Sequence, residues 1–467
     1  MSVPTQLALR DSEFYGRIGV ARADITPPIE IFARSWGSSK HDNASGVHRP
    51  LLASCAVFAD AAGGRPLALL ALDLSWWSSR QDELDIRMAI LEGTGLQEHE
   101  LMLHPSHTHS APRTALDYVD RPGGQLIPAY RAQIKRTCVE LVGRARAALS
   151  PATLTWRAGR CGVAFNRDLE SPTDGQVLCG INPSKRADDT LLVGRVVDES
   201  GKPRCVLVNF ACHPISLGGG NTLISPDYVG AMRETVEAAT GAEQCLFLHG
   251  ASGDQAPRRS FESDPRFADQ NGREIGYAAL SVVTSMFSPQ VSLAFAGVQE
   301  SGTPLAIWEE RKIPAPSAIN ARRVTVQLPI AALPSREELK RAIATATESY
   351  MVERLTRRLL ARESVGDGTQ GAFSFLVWQL GDSYIVGTPA ELHTKFQLEL
   401  RRRFPQNSIA VLNIVNGYAS YLPPREDYDV GAYQVRVALY AAGSMERVLE
   451  ATDQAIRDMR AAAQQPH

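Results

Sequence analysis

The sequence predicts an α/β fold, sheet covered by helices, and three observations predict it. Short apolar runs alternate along the whole chain with longer stretches whose apolar residues recur at helical spacing. Five of the runs end in polar loops marked by Gly or Pro. The composition, 44% hydrophobic and 21% charged, is that of an ordinary globular protein with ample core.

In chain order, the strand-like runs are PLALLALDL (66–74), ELMLH (100–104), CVLVNFACH (205–213), QCLFLHG (244–250), SYIVG (383–387) and SIAVLNIV (408–415). Helical patterns fall between and after them: SRQDELDIRMAILEGTG, AYRAQIKRTCVELVGRARAALS, PDYVGAMRETVEAATG, REELKRAIATATESYMVERLTRRLLARES and SMERVLEATDQAIRDMRAAA. No internal repeat or low-complexity segment appears. The Pro-rich segment 313–335 reads as a surface excursion or a linker, with chemistry on both sides favouring the excursion, so one elaborated domain over 1–467 is expected. At 467 residues that is long for one domain, but within reach of elaborated α/β folds.

Several partner classes are disfavoured. Lys plus Arg is 49 against 51 acids, a net charge of -2 with no basic stripe, so no nucleic-acid or anionic-membrane partner is indicated. No stretch approaches the ~18 apolar residues that span a bilayer. MSVPTQLALRDSEFYG has no basic region followed by an apolar run, so it is not a secretory signal. The cysteines (Cys55, Cys138, Cys161, Cys179, Cys205, Cys212, Cys245) are odd in number and lack a CxxC pair, which fits free thiols in the cytoplasm. No pattern specifies an oligomeric state.

The polar loops gather the reactive side chains. HPSHTHSAP follows one strand, His213-Pro214 ends another, and ASGDQAPR, TPAE and NGYASYLPP follow three more. Ligands of α/β sheets bind outside the carboxyl ends of strands, so one site built from remote segments is expected. Each piece also has an ordinary reading. His107 and His109, two apart, can converge on one ion if extended. His213 also fits a hydrogen-bonded core histidine, and Arg167 a surface arginine. Glu391 completes a Thr-x-x-Glu capping box with Pro389 at the first helical position. Tyr421 fits a packed aromatic with a wet hydroxyl. A thiol nucleophile at Cys212 beside His213 is disfavoured, because strand neighbours point to opposite faces.

As a set, these segments resemble the neutral/alkaline (non-lysosomal) ceramidase family. GRIGVARADITPP is similar to the family's opening strand and turn, and GVHRPLLASCAVF to the segment after it. HTHSAP resembles its HTHSGP-type loop, VLVNFACHPISL its strand-plus-His segment, and NGYASYLPPREDYDVGAY its Tyr-rich loop. The resemblance implies two stacked mixed β-sheets flanked by helices. It also implies a zinc ion (Zn2+) held by His107, His213, Glu391 and Tyr421. His109 is implied as an acid or hydrogen-bond donor beside the metal, Arg167 as an oxyanion-stabilising residue, and Tyr433 as a further active-site tyrosine. His104 matches no family role and is read as structural.

The implied activity is a zinc-dependent amidohydrolase cleaving a linear amide by zinc-activated water. An esterase or lactonase would use the same site, and a metal-binding pseudoenzyme is the alternative from another class. The family's GDVSPN-type serine is Ala256 here, within Gly253-Asp254-Gln255-Ala256-Pro257. A zinc-activated water needs no such hydroxyl, so the change bears on substrate more than on reaction. The chain stops one helix after the Tyr-rich loop, so no C-terminal immunoglobulin-like domain is expected. A soluble, possibly N-acylated small amide or ester is the expected substrate.

Overall fold

The computed structural model describes residues 8–463. The stretch read for a secretory signal thus lies partly outside the described residues, at positions 1–7. Among the described residues no helix is long and apolar enough to cross a membrane.

Two sheets stack face to face. The larger has eight strands in the order Gln244–His249, Pro203–Phe210, Thr190–Asp198, Ser150–Arg160, Ser12–Asp24, Leu52–Ala59, Leu67–Leu72 and Leu101–Pro105. Its middle pairs are antiparallel and the pair at each edge is parallel. The smaller holds Ile319–Pro329, Gln370–Leu380, Ser383–Gly387 and Ile409–Leu412, the last two parallel.

Alternation along the strands explains the layering. Leu69 faces the small sheet with Phe14, Phe58, Trp156, Leu207 and Leu248, against Trp378, Leu380, Ile385 and Leu412 from the other side. Its neighbours Ala68 and Leu70 point the opposite way, onto helices Arg80–Thr94 and Ile127–Ala147. Burial on both faces makes LALLAL read as a continuous apolar run rather than an alternating one. Helices Tyr228–Thr240 and Pro265–Ser285 cover Val206, Val208 and Phe247 of the same sheet. Helices Thr394–Arg403 and Ser444–Ala463 cover the outer face of the small sheet. The result is helix, sheet, sheet, helix. Asn209 ties the sheets together, donating from Nδ2 to Leu248 O (2.9 Å) in one and Val411 O (2.9 Å) in the other.

Three expectations change. The segment 313–335 is neither surface excursion nor linker: Ile319–Pro329 is the edge strand of the small sheet, paired with Gln370–Leu380 over its full length. The pattern 336–364 forms two helices, Arg336–Thr345 and Ser349–Val365, interrupted where Ala346 turns extended. Thr345 Oγ1 bonds back to Arg341 O and Ala342 O at that break, a local alternative to continuing the helix. Finally, Pro265–Ser285 is a helix that falls outside the expected helical patterns. Its start follows rules readable in Asp264-Pro265: the carboxylate accepts from Arg266 N at 2.9 Å, and proline occupies the first turn.

Candidate metal centre

The loops at the carboxyl ends of the strands meet as expected. After strand Leu101–Pro105 the chain turns sharply at His107, whose φ of 70° is left-handed for a side chain larger than glycine. Its N–H donates to Leu74 O at 2.9 Å, which anchors the turn and aims the imidazole inward. His213 follows strand Pro203–Phe210. Glu391 and Tyr421 follow the two parallel strands of the small sheet and sit directly opposite each other in a short two-residue ladder, Glu391–Leu392 against Tyr421–Leu422.

Gly253 holds this ladder in place. Its N–H donates to Leu392 O at 2.8 Å, and a Cβ at this position would meet Glu391 O, Leu392 O and the His393 ring. Asp254, next in the same turn, caps the following helix from outside by accepting from Thr394 N and Oγ1, both at 2.8 Å. Glu391 therefore caps nothing: the helix begins at Thr394, five residues after Pro389, where its capping box would start it.

The ligand atoms of His107, His213 and Glu391 lie within 4.8 Å of one another, and all three side chains are buried. Glu391 Oε2 is 2.9 Å from His213 Nε2 and 3.4 Å from His107 Nε2, while Oε1 accepts from Tyr418 Oη at 3.0 Å. Each ring is oriented from behind, His213 Nδ1 toward Ser252 O (2.8 Å) and His107 Nδ1 toward Ser75 O (3.3 Å). A carbonyl only accepts, so each Nδ1 carries the proton and each Nε2 presents a lone pair to the carboxylate. Acceptors thus face acceptors, an arrangement that a cation held among them reconciles. Backbone carbonyls fixing the tautomer in this way are the usual support of metal-bound imidazoles. Tyr421 Oη lies 3.4 Å from His213 Nε2, where it could add a fourth, oxygen donor.

The electrostatics agree. Burial, with the Arg167 charge, pushes His213 down to about 3, so it is neutral at pH 7. Burial alone raises Glu391; the carboxyl is held well below its usual range only by an imidazolium at His107 or His213, the positive charge that a cation among them would otherwise supply. Burial pushes the Tyr421 hydroxyl well above its usual range, with Arg167 pulling the other way.

The remaining expected residues surround this centre. Arg167 is buried rather than on the surface. Its Nε and Nη2 donate to Gly253 O (3.0 and 2.7 Å), and Nη2 also donates to Tyr421 Oη (3.0 Å). His109 lies between Trp36 and Trp76, with ring centroids 4.8 Å from each. Its Nε2 is 3.4 Å from His107 Nε2 but outside the mutual trio, and burial, then the His107 charge, holds it well below its usual range. Tyr433 packs edge-on at 5.9 Å from Tyr421 and is 46% exposed, so it faces outward. Cys212 is no nucleophile, since burial pushes its thiol well up and Sγ bonds to His213 O. All seven cysteines are free and six are buried.

Sequence reasoning missed His249, Ser252 and Tyr418. His249 stacks 5.2 Å from His107, and its Nε2 contacts Ser252 Oγ (2.6 Å), which also lies 2.9 Å from His213 Nδ1. The available signal was position, since His249 ends strand Gln244–His249 opposite Phe210, three residues before His213.

His104 is structural: Nδ1 donates to Asn413 O (3.0 Å) and Nε2 accepts from His249 N (2.8 Å). Nε2 can accept only in the neutral ring, and burial lowers the ring's pKa to about 3. The unfolded chain takes up this proton near pH 6.5 and the folded one does not. Stability is therefore full above that pH and falls as pH drops toward 3, by about 1.4 kcal/mol per unit. Urea midpoints of the metal-free protein between pH 7 and 4.5 should fall at least this steeply, because His109, His213 and His249 are lowered by burial too, and His104→Gln should flatten the slope by about one proton.

Fold and site together define a two-sheet α/β protein with a buried two-histidine, one-glutamate centre at its strand ends. The sequence pattern of the family described as neutral/alkaline non-lysosomal ceramidase, N-terminal, matches residues 16–259, just over half of the chain, and the chain belongs to that family. A neutral ceramidase of Pseudomonas aeruginosa is 26% identical over 226 residues, covering 46% of this chain and 32% of that protein. Neutral ceramidase A of Dictyostelium discoideum is 23% identical over 239 residues, covering 49% and 33%. The chain thus aligns with about a third of the length of these relatives. The solved neutral ceramidase structure from Pseudomonas aeruginosa superposes with a TM-score of 0.68 at 20% identity, over 96% of this chain and 75% of that one. It has the same two-sheet fold.

Proposed function

We propose that this protein hydrolyses a linear amide of a soluble small molecule at a zinc centre held by His107, His213, Glu391 and Tyr421. The observation that carries this reading is the buried convergence of two Nε2 lone pairs on one carboxylate, each ring oriented by a backbone carbonyl. Membership of an amidase family supports the bond cleaved. Zinc bound there would supply Lewis acidity and lower the pKa of a water toward ~7.

The protein's own groups do the rest. Tyr418 holds Glu391 in one rotamer through Oε1. Arg167, fixed by Gly253 O and Tyr421 Oη, sets a positive charge beside the Tyr421 hydroxyl, where an oxyanion developing on the carbonyl is stabilised. His109, neutral and clamped by two tryptophans, is placed to pass a proton to the departing amine. Tyr433 reaches the same space from its open side. We keep the cytoplasm as the compartment, on the seven unpaired cysteines.

The test is zinc analysis of the purified protein beside a panel of amides and esters. About one zinc per chain and metal-dependent amide cleavage support the reading. Protein that binds zinc but cleaves neither bond would be a pseudoenzyme.

Ala256 gives a second test. It is fully buried in the ladder Gln255–Pro257 opposite Phe165. Ala256→Ser should leave turnover of small amides within about tenfold, because the reaction uses no serine. It should cost about 1–3 kcal/mol of stability if the new hydroxyl finds no partner. Wild-type turnover of a long-chain ceramide equal to that of short N-acyl amines would overturn the soluble-substrate reading.

A further inference from the structure

A cavity of about 980 Å³ lies beside the metal centre. Two of its lining residues touch the centre: Trp76 packs on His107 and His109, and Tyr418 bonds Glu391. Among the described residues lining it, seven are arginines and none is an acid or a lysine. The whole chain has nearly equal numbers of cations and anions, so this cavity is a local concentration of charge rather than a reflection of composition.

Two of these arginines are already engaged. Arg34 pairs with Asp42 at 3.0 Å, and Arg113 lies over the Trp76 ring while donating to Arg34 O and Ser35 O. The other five, Arg80, Arg121, Arg354, Arg358 and Arg436, are exposed and make no ion pair with a described carboxylate. They come from four separate segments. Arg354 and Arg358 stand one turn apart on helix Ser349–Val365, where like charges repel. Walls of low dielectric concentrate such a field and raise the local concentration of anions. The same cavity has an apolar wall of Leu333, Leu339, Leu360 and Leu439.

We propose that the natural substrate is an amide with an apolar portion and an oxyanion, as in N-acyl amino acids. The apolar portion lies on the leucine wall, and the carboxylate or phosphate is held by guanidinium groups from Arg354, Arg358 and Arg436. The scissile amide then faces His107, His213 and Glu391. Water adds across the amide, the C–N bond breaks and the amine leaves with the proton, giving a carboxylate and a free amino compound. A neutral lipid amide would leave the guanidinium groups without a counter-charge. This inference rests on the amide-hydrolase reading.

The test compares N-decanoylglycine with N-decanoylglycinamide, which differ only in carboxylate against carboxamide, and adds N-decanoyl-phosphoethanolamine. The zinc-loaded protein should prefer the anionic amides in kcat/KM by on the order of tenfold or more, as charge-assisted hydrogen bonds allow. The relative rates of the two anionic amides then tell which oxyanion the arginines take. The double change Arg354→Gln, Arg358→Gln, at exposed positions, should bring the preference toward one, mainly through KM. Independently of turnover, calorimetry of decanoate binding to the metal-free protein should weaken with the double change and with added salt. Equal rates for the glycine and glycinamide conjugates, or a preference that survives the double change, would overturn the proposal. Arginine-dependent decanoate binding without cleavage of any amide would support the anion site and overturn the hydrolase reading instead.

Discussion

Replacing His107 or His213 by alanine is expected to empty the metal centre, from about one zinc per chain to background, and to lower amide turnover by well over 100-fold. Changes merely behind a ligand already cost 10–100-fold in affinity or activity, and these remove the ligand itself. The two variants differ in fold. Alanine at 213 meets no positive φ, whereas at 107 it must keep a φ of 70°, which glycine, asparagine, aspartate and histidine tolerate better. His107→Asn is therefore the companion variant, since it keeps the turn and removes the imidazole. The structural neighbour, His104→Gln, should keep its zinc. Zinc retained in both alanine variants would remove the basis of the proposed chemistry.

Much of this site was legible in the sequence because metal-binding side chains stand in polar loops that interrupt apolar runs. HPSHTHSAP, His213-Pro214 and NGYASYLPP break the strand pattern visibly, and the segments around them resemble one family in order. Position in space was less legible. Arg167 sits in a loop by its sequence, yet the loop folds under Gly253 and the side chain is buried. His249 looks like the end of any apolar strand until its pairing opposite Phe210 sets it behind His107. The middle strands of the large sheet, Ser150–Arg160 and Thr190–Asp198, mix polar and apolar residues because their ends lie near solvent, so they stood out less than LALLAL. The cavity arginines were invisible as a group. They are spread from Arg34 to Arg436, and only the stacking of the sheets and the return of helix Ser349–Val365 bring them to one opening.

Glu391 was ambiguous for a physical reason, and its replacement discriminates most sharply. Thr388-Pro389-Ala390-Glu391 obeys the capping rule, but the helix starts at Thr394 and takes its cap from Asp254. Glu391 instead lies in the ladder opposite Tyr421, with its carboxylate 2.9 Å from the His213 lone pair. Glu391→Gln keeps the shape and removes the charge. A glutamine amide can also donate to His213 Nε2, replacing an acceptor-to-acceptor contact with a hydrogen bond. The metal-free variant should therefore melt at or above the wild-type temperature, while zinc affinity falls at least ~10–100-fold and amide turnover falls with it. A helix cap predicts the reverse: about 1 kcal/mol of stability lost with activity intact. Melting curves of the metal-free proteins, a zinc titration and one amide assay separate the two. A variant that melts lower, holds zinc as tightly as wild type and keeps its turnover would return Glu391 to a structural role and overturn the proposed ligand set.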